Sequence, residues 1–344
     1  MKAIVFDKPG DPRQVLTLRE IPIPHPPRGH VLVRMLASPI NPSDLIYITG
    51  TYNIKPDGPA TPGFEGVGLV ESGGGLLGWL RRGKRVAVIN DRTGNWCEYA
   101  TVKARQVIPI PSDISDEQAA CLFVNPATAV VMTEYVLRIG RGATLLQSAA
   151  GSALGRMIVR LGKRNGFRTI NIVRRRETAE ELKMLGADEV ICAEDHGITD
   201  RVLSLTGGKG VPFAIDPVGG ETGSAVIASL ADGGRALLFG LLSKQPVVVD
   251  PRLFLTGGKR VEGFLLSDWA RQQYVPTLLR MFRRVIRLIR DGVFETDRVV
   301  TYPLSEFPAA IEKAMAAGKD AKVVFSISRN RVRPTQSAAV GPTR

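Results

Sequence analysis

Gly151 and Gly155 stand in a short turn between an apolar stretch ending at Gln147 and an amphipathic run from Ser152 to Asn165. A strand, a glycine turn and a helix in that order aim backbone N–H groups and the positive end of a helix dipole at one point, a geometry suited to a pyrophosphate. Ala150 and Ser152 stand where the first two glycines of G-x-G-x-x-G belong, so the turn read alone is better taken as a plain tight turn. About 20 residues past the turn, where a carboxylate would hold ribose hydroxyls, the chain carries Arg174, Arg175 and Arg176. A guanidinium matches a phosphate dianion in charge and donor geometry, whereas a carboxylate there would repel it. Together these features point to NADPH over NADH, the alternative for the arginines being an exposed basic loop.

Metal and disulfide chemistry is poorly provided for. The three cysteines, Cys97, Cys121 and Cys192, form no C-x-x-C pair, and the only histidines are His25, His30 and His196. Neither a thiolate cage nor a zinc site of the usual ligand set can be assembled from them, so no metal is expected.

The elements that must position the glycine turn follow a βαβ rhythm from about residue 115. Strands are expected at 144–147, 169–173, 189–192, 213–216, 235–239 and 261–265, the six of a doubly wound parallel sheet. The helix behind the turn is marked by Ala153, Leu154, Met157, Ile158 and Leu161 on one stripe. Before this lies a Pro- and Gly-rich region with short strands at 3–6, 31–35, 66–70, 85–89 and 99–102, read as an irregular β-barrel-like domain. After Leu266 the spacing predicts a helix over 275–290, a strand over 298–302, a helix over 304–317 and a strand over 322–326. This C-terminal segment is expected to return to the first domain. The organisation expected is therefore α/β: a catalytic domain of residues 1–120 and 268–328, a cofactor domain of 121–267, and a poorly ordered tail of 329–344.

Composition bounds the class. Of 344 residues, 44% are hydrophobic and 23% charged, as in folded globular proteins. No apolar run approaches the roughly 20 residues of a membrane span. Residues Leu76 to Leu80 are short and end in Arg81-Arg82. The N-terminus reads as a first strand without a leader, so a cytoplasmic protein with no membrane partner is expected. A net charge of +13 favours an acidic partner without naming one. Arg280, Arg284 and Arg287 fall on one side of a helix and form a candidate basic face, alternatively an ordinary solvated one.

At superfamily level the chain resembles the zinc-free medium-chain dehydrogenases/reductases, most of all the 2-enoyl thioester reductases and next the quinone oxidoreductases. The resemblance runs from Met1 to about Ser328 and is carried by seven motifs in order: Asn41-Pro42-Ser43-Asp44 with Gly50-Thr51-Tyr52, Gly63-Phe64-Glu65-Gly66, Gly94-Asn95-Trp96, Asn125-Pro126-Ala127-Thr128-Ala129, Thr169 to Arg174, Lys244 to Val248, and Gly263 to Trp269. It implies a GroES-like catalytic domain beside the Rossmann sheet. The zinc-dependent branch carries a Cys in the segment holding Asn41 and a His in the segment holding Phe64 and Glu65, and neither ligand is present here.

The resemblance also implies roles. Tyr52 matches the tyrosine that gives a proton to the α-carbon while hydride adds to the β-carbon of a conjugated thioester, with Tyr47 as the rival within the chain. A phenol titrating at about 10 stays protonated at neutral pH and can act so. Asn125, Thr128, Gly151, Ser152, Ala153, Leu154, Gly155, the three arginines, Phe239, Gly240, Leu241, Leu242, Phe264, Leu265, Leu266 and Lys322 are expected at NADPH, and Asn41 and Trp269 at the substrate. An enoyl-CoA or enoyl-acyl carrier protein is the implied substrate, and the basic face would then dock it. A homodimer is likewise implied. Two other functions remain: an NADPH:quinone or alkenal oxidoreductase, and a basic NADPH-binding protein without turnover that binds RNA or a protein. Against the last, the chain has no nucleic-acid motif and only 6% aromatic residues, so no nucleic-acid partner is expected.

Overall fold

The computed structural model describes residues 1–56, 58–90, 93–195, 197–295, 298–316 and 321–328. His196 and the tail 329–344 lie outside them. The described residues divide into two compact units, one within 1–120, 300–316 and 323–328, the other within 121–299 and 321–322.

The first unit opens with β1 (Lys2–Val5), α1 (Pro12–Val15), β2 (Thr17–Glu20), β3 (His30–Pro39), α2 (Pro42–Ile48), β4 (Glu65–Gly73), α3 (Leu76–Arg81), β5 (Arg85–Ile89), β6 (Tyr99–Lys103), β7 (Val107–Pro109) and α4 (Asp116–Ala120). The second holds α5 (Val124–Val130), a π-helical stretch over Val131–Val136, β8 (Thr144–Gln147), α6 (Ala153–Asn165), β9 (Arg168–Val173), α7 (Arg176–Leu185), β10 (Glu189–Cys192), α8 (Ile198–Leu205), β11 (Val211–Asp216), α9 (Gly220–Ala228), β12 (Leu230–Leu238), α10 (Arg252–Leu255), β13 (Arg260–Gly263), α11 (Leu266–Arg271) and α12 (Val275–Arg290). The chain returns through β14 (Val299–Pro303), α13 (Phe307–Met315) and β15 (Lys322–Ser326).

In the first unit a seven-stranded sheet is ordered β14-β15-β3-β4-β5-β7, with β6 paired to β3, and β1 and β2 form a separate antiparallel pair. Alternation along β3 sends Val31, Val33 and Met35 into a core with Val70, Val86, Val88 and Val102. A second cluster joins Ile4, Phe6, Tyr47 and Trp96 to Ile311 and Phe325, so the returning segment completes a core begun at residue 4.

The second unit is built on six parallel strands ordered β10-β9-β8-β11-β12-β13, the doubly wound order with its reversal beside β8. Its strands are apolar on both faces because helices cover both, and Leu146, Ile170, Ile172, Ala214 and Ala236 share one core. The expected division at residue 267 is corrected here. Helices α11 and α12 belong to this unit, since Met281, Phe282, Val285, Leu288 and Ile289 are buried and Phe282 stacks on Phe123 of the α5 segment with centroids 5.5 Å apart. The return to the first unit begins at Val300, not at 268.

Candidate functional site at the strand ends

The turn after β8 is shaped by backbone proximity. A Cβ on Gly155 would lie 2.4 Å from the carbonyl oxygen of Ala150, so α6 can pack on the turn only with glycine at that position. Ser152 caps the helix, its Oγ accepting from the N–H of Gly155 at 3.1 Å, and the first turn of α6 contains no acid. The positive end of the helix is therefore left for an external anion. Leu154, Met157, Ile158 and Leu161 are buried as their spacing predicts, whereas Ala153 is only half-buried.

Because β9 runs parallel beside β8, with Asn171 opposite Gln147, the chain leaves both strands at the same edge. Arg174, Arg175 and Arg176 follow at once and are all exposed, Arg175 standing at the N-cap of α7. Exposed guanidinium groups beside a glycine turn and an acid-free helix start fit a dinucleotide with a 2′-phosphate. A fourth cation joins them that the sequence reading missed. Arg156 donates from Nε to the carbonyl of Gly151 at 3.2 Å and pairs with Glu181. The Arg156 hydrogen bond, with smaller help from the charges of Arg156, Arg298 and Arg175, holds the Glu181 carboxyl below its ordinary range despite some desolvation. Its signal was its place directly after Gly155.

Two buried networks fix this edge. Gln147 donates from Nε2 to Asn171 Oδ1 at 2.7 Å and to the carbonyl of Gly155 at 3.1 Å, and Asn171 Nδ2 donates to Glu189 O at 2.9 Å. Further along, Ser148 donates its hydroxyl to Asp216 Oδ1, while Val218 N–H and Gly219 N–H donate to the same carboxyl at 3.1 and 2.8 Å. Asp216 is fully buried at the end of β11 and locks the loop after it. The only sequence signal for this hub was an acid ending an apolar strand before Pro217-Val218-Gly219-Gly220.

The expected cofactor-wall residues gather at the same edge. Phe239 to Leu242 follow β12, with Leu242 N–H donating to Pro217 O at 3.0 Å and Leu241 reaching Gly219. Leu241 and Leu242 are each 54% exposed, an open apolar rim. Phe264 follows β13 and is buried, with Leu265 and Leu266 half-buried. In α5 Thr128 is buried and Asn125 half-buried, and Lys322 is also buried. Trp269 on α11 meets Tyr135 edge-on at 5.4 Å.

In the first unit Tyr47 and Tyr52 part company. Tyr47 is buried, edge-on to Phe6 and Phe64, and burial pushes its phenol up. Tyr52 packs on Phe64 with centroids 5.2 Å apart but stays half-exposed, which leaves it the better placed of the two to meet a ligand. Asn41, expected at the substrate, is 1% exposed, and its Nδ2 donates to Glu65 Oε1 at 2.9 Å. Its backbone N–H donates to Asp44 Oδ2, whose other oxygen accepts from Phe64 N–H. Asn41 thus braces the two motif segments against each other. Among the described residues no group of three or more His, Cys, Asp and Glu could hold a metal ion.

The basic face on α12 is corrected. Arg284 is turned inward, donating to both oxygens of Glu134 and to Asn165 Oδ1. The exposed arginines are Arg280, Arg283, Arg287 and Arg290, the i, i+3, i+7, i+10 stripe opposite the buried one.

A Rossmann sheet with a glycine turn at its reversal, joined in one chain to a GroES-like unit, defines the class, and two family models match it. Residues 27–112 match the alcohol dehydrogenase GroES-like domain, and 153–284 match the zinc-binding dehydrogenase domain. The chain belongs to the medium-chain dehydrogenase/reductase superfamily. Its relatives include the mitochondrial enoyl-[acyl-carrier-protein] reductase of Arabidopsis thaliana, 34% identical over 94% of this chain and 88% of that protein. Among solved structures, a candidate NADPH:quinone reductase from Bacillus thuringiensis is 35% identical with a TM-score of 0.89, covering 95% of this chain and 99% of its own. A mycobacterial protein solved with NADPH is 28% identical with a TM-score of 0.84, covering 95% and 100%.

Proposed function

We propose that this protein is an NADPH-dependent reductase of an activated C=C bond, with a trans-2-enoyl thioester as substrate and Tyr52 as proton donor. The observation that carries the reading is the exposed Arg174-Arg175-Arg176 run at the end of β9, beside the Gly155 turn, where an NADH enzyme would place an acid. The bound cofactor supplies the hydride. The residues of this chain then have two tasks: the turn, Ser152 and the arginines hold the phosphates, and a phenol gives a proton to the carbon next to the carbonyl. No metal is required, because charge arriving on the carbonyl oxygen of a conjugated thioester can be met by hydrogen-bond donors.

The enoyl-[acyl-carrier-protein] reductases among the relatives support the thioester, and exposed Arg280, Arg283 and Arg287 are the candidate contact for an acidic carrier. A quinone or alkenal reductase is the second reading, favoured by the 35% identity to the Bacillus thuringiensis structure. A homodimer is proposed on the superfamily resemblance. A cytoplasmic setting is proposed on three buried cysteines that stand as thiols and not as disulfides, which suits a reducing compartment.

The test is a panel of crotonyl-CoA, longer enoyl-CoAs, enoyl-acyl carrier protein, quinones and alkenals, each with NADPH and NADH. Turnover of enoyl thioesters with NADPH, about tenfold or more above NADH in kcat/KM, is expected. Equal use of both nucleotides, or turnover confined to quinones, would overturn the respective half of the proposal.

A further inference from the structure

The connection between β4 and β5 carries a feature that the reductase reading does not use. A Cβ placed on Gly78 of α3 would lie 2.7 Å from the backbone of Gly73, and one on Gly73 would lie 2.7 Å from Gly78 Cα. The short helix therefore rests backbone to backbone on the strand. Leu76 and Leu80, two positions either side of Gly78, must point the opposite way, with Trp79 at their flank. They are 72%, 53% and 68% exposed, respectively. Side chains this open neither fill a core nor line a groove. A connection meant only to be solvated would carry polar turn residues.

The charge around them is one-sided. Arg81 ends the helix, and Arg82 and Lys84 follow it. Gly74 N–H donates to His30 O at 2.9 Å and Ala104 N–H to Gly29 O at 2.9 Å, which brings exposed Arg28 and Arg105 to the same end of the unit. None of the three stretches meeting here, 21–34, 72–90 and 99–112, contains an Asp or Glu. The acids that bound them in sequence are Glu20, Glu71, Asp91, Glu98 and Asp113, of which Glu71 is ion-paired with Arg34 and Glu98 accepts from Lys2 N–H, while Asp116 a little further on is paired with Arg85.

We propose that this knuckle docks the protein on an anionic phospholipid bilayer, with Leu76, Trp79 and Leu80 entering the boundary between headgroups and acyl chains while Arg28, Arg82, Lys84 and Arg105 face the lipid phosphates. Apolar burial and electrostatic attraction together set such binding, and tryptophan favours that boundary because its ring is apolar and its N–H polar. An acidic protein fits less well. A stable protein interface covers about 800 Å² on each partner around a desolvated centre, whereas here the apolar part is a projecting helix of six residues. The inference revises the expectation that no membrane is a partner. That expectation rested on the lack of a span, and among the described residues no helix is long and apolar enough to be one.

The test is sedimentation of the full chain with vesicles of phosphatidylglycerol and phosphatidylcholine in equal parts, against vesicles of phosphatidylcholine alone. Binding about tenfold or more tighter to the anionic vesicles is expected, weakening as salt is raised. Trp79 emission should shift to the blue on binding, because Trp79 is exposed while Trp96 is fully buried and Trp269 is partly covered against Tyr135, and Trp79→Phe should remove the shift. The double variant Leu76→Ser/Leu80→Ser should weaken binding by about tenfold, with NADPH oxidation and the thermal melt unchanged. Equal binding to both vesicles, binding to neither, or anionic binding that ignores the double variant would overturn the proposal. So would vesicle binding that leaves Trp79 emission unmoved while a holo-acyl carrier protein shifts it, which would assign the knuckle to a protein.

Discussion

Asn41 and Glu65, 24 residues apart, are joined by a buried hydrogen bond from Nδ2 to Oε1 at 2.9 Å, and both are 1% exposed. The two segments where the zinc-dependent branch of the superfamily keeps a Cys and a His are therefore stitched together by an amide and a carboxyl. Asn41→Leu removes the donor and leaves a polar oxygen facing an apolar side chain, so a loss of about 1–3 kcal/mol in urea unfolding is expected. Added zinc should leave the unfolding midpoint of the natural chain where it is. A shift at stoichiometric zinc would show that a metal binds the folded state.

The glycine turn distinguishes two substitutions of the same size. In Gly155→Ala the new methyl meets the Ala150 backbone at 2.4 Å, which cannot yield without moving the turn. In Gly151→Ala it meets only the side chain of Thr178, at 2.5 Å from Cγ2. NADPH affinity measured by fluorescence titration should fall about tenfold or more for Gly155→Ala and only a few-fold for Gly151→Ala. Adding Thr178→Ser, which deletes the offending methyl, should restore the second variant and not the first.

The arginine run makes a prediction about discrimination. Arg174→Gln/Arg175→Gln should raise the Kd for NADPH by about tenfold to a hundredfold and leave that for NADH within a factor of about two. Parallel loss for both nucleotides in titration would mean that the arginines support the fold or the pyrophosphate and not the 2′-phosphate.

Local patterns made much of this architecture legible. The strands 85–89 and 189–192 and the helix 275–290 lie where the spacing puts them, because runs such as Arg85-Val86-Ala87-Val88-Ile89 carry their period and their breakers within themselves. What escaped depends on partners remote in sequence. Thr17 to Glu20 is a strand only because β1 pairs with it, and Arg284 turns inward only because Glu134, 150 residues away, receives it. The hub of Ser148 and Asp216 escaped for the same reason, since a serine and an aspartate 68 residues apart show no spacing that links them. Helices α11 and α12 were placed with the wrong unit because an amphipathic stripe tells which face is buried and not against what.

Tyr52 separates the two substrate readings. Tyr52→Phe keeps the ring that packs on Phe64 and removes only the hydroxyl, and a melt recorded beside the kinetics separates lost activity from lost fold. Turnover of crotonyl-CoA should drop by about a hundredfold, the usual size of a lost proton donor, while quinone turnover largely survives. The same substitution at Tyr47 should instead leave kcat/KM close to that of the natural chain, since that phenol lies inside the core. A fall in both activities for Tyr52→Phe would rule out a selective proton donor.

Alkaline stability depends on Cys97. Burial pushes its thiol up from 9.0 to about 12, against a smaller opposing effect of the Tyr99 backbone. In the unfolded chain the thiol gives up its proton near the ordinary value, while the folded chain keeps it, so stability is fully present below that value and is lost as pH rises from about 9 toward about 12. Tyr47, raised by burial from 10.0, acts in the same direction. Urea midpoints of the natural chain should therefore decline as the pH is taken from about 8 to about 10.5. Cys97→Ala should start lower, because a packed sulfur is gone, but decline less, leaving the share that belongs to Tyr47. A variant that declines as steeply as the natural chain would place the alkaline loss on groups other than this thiol.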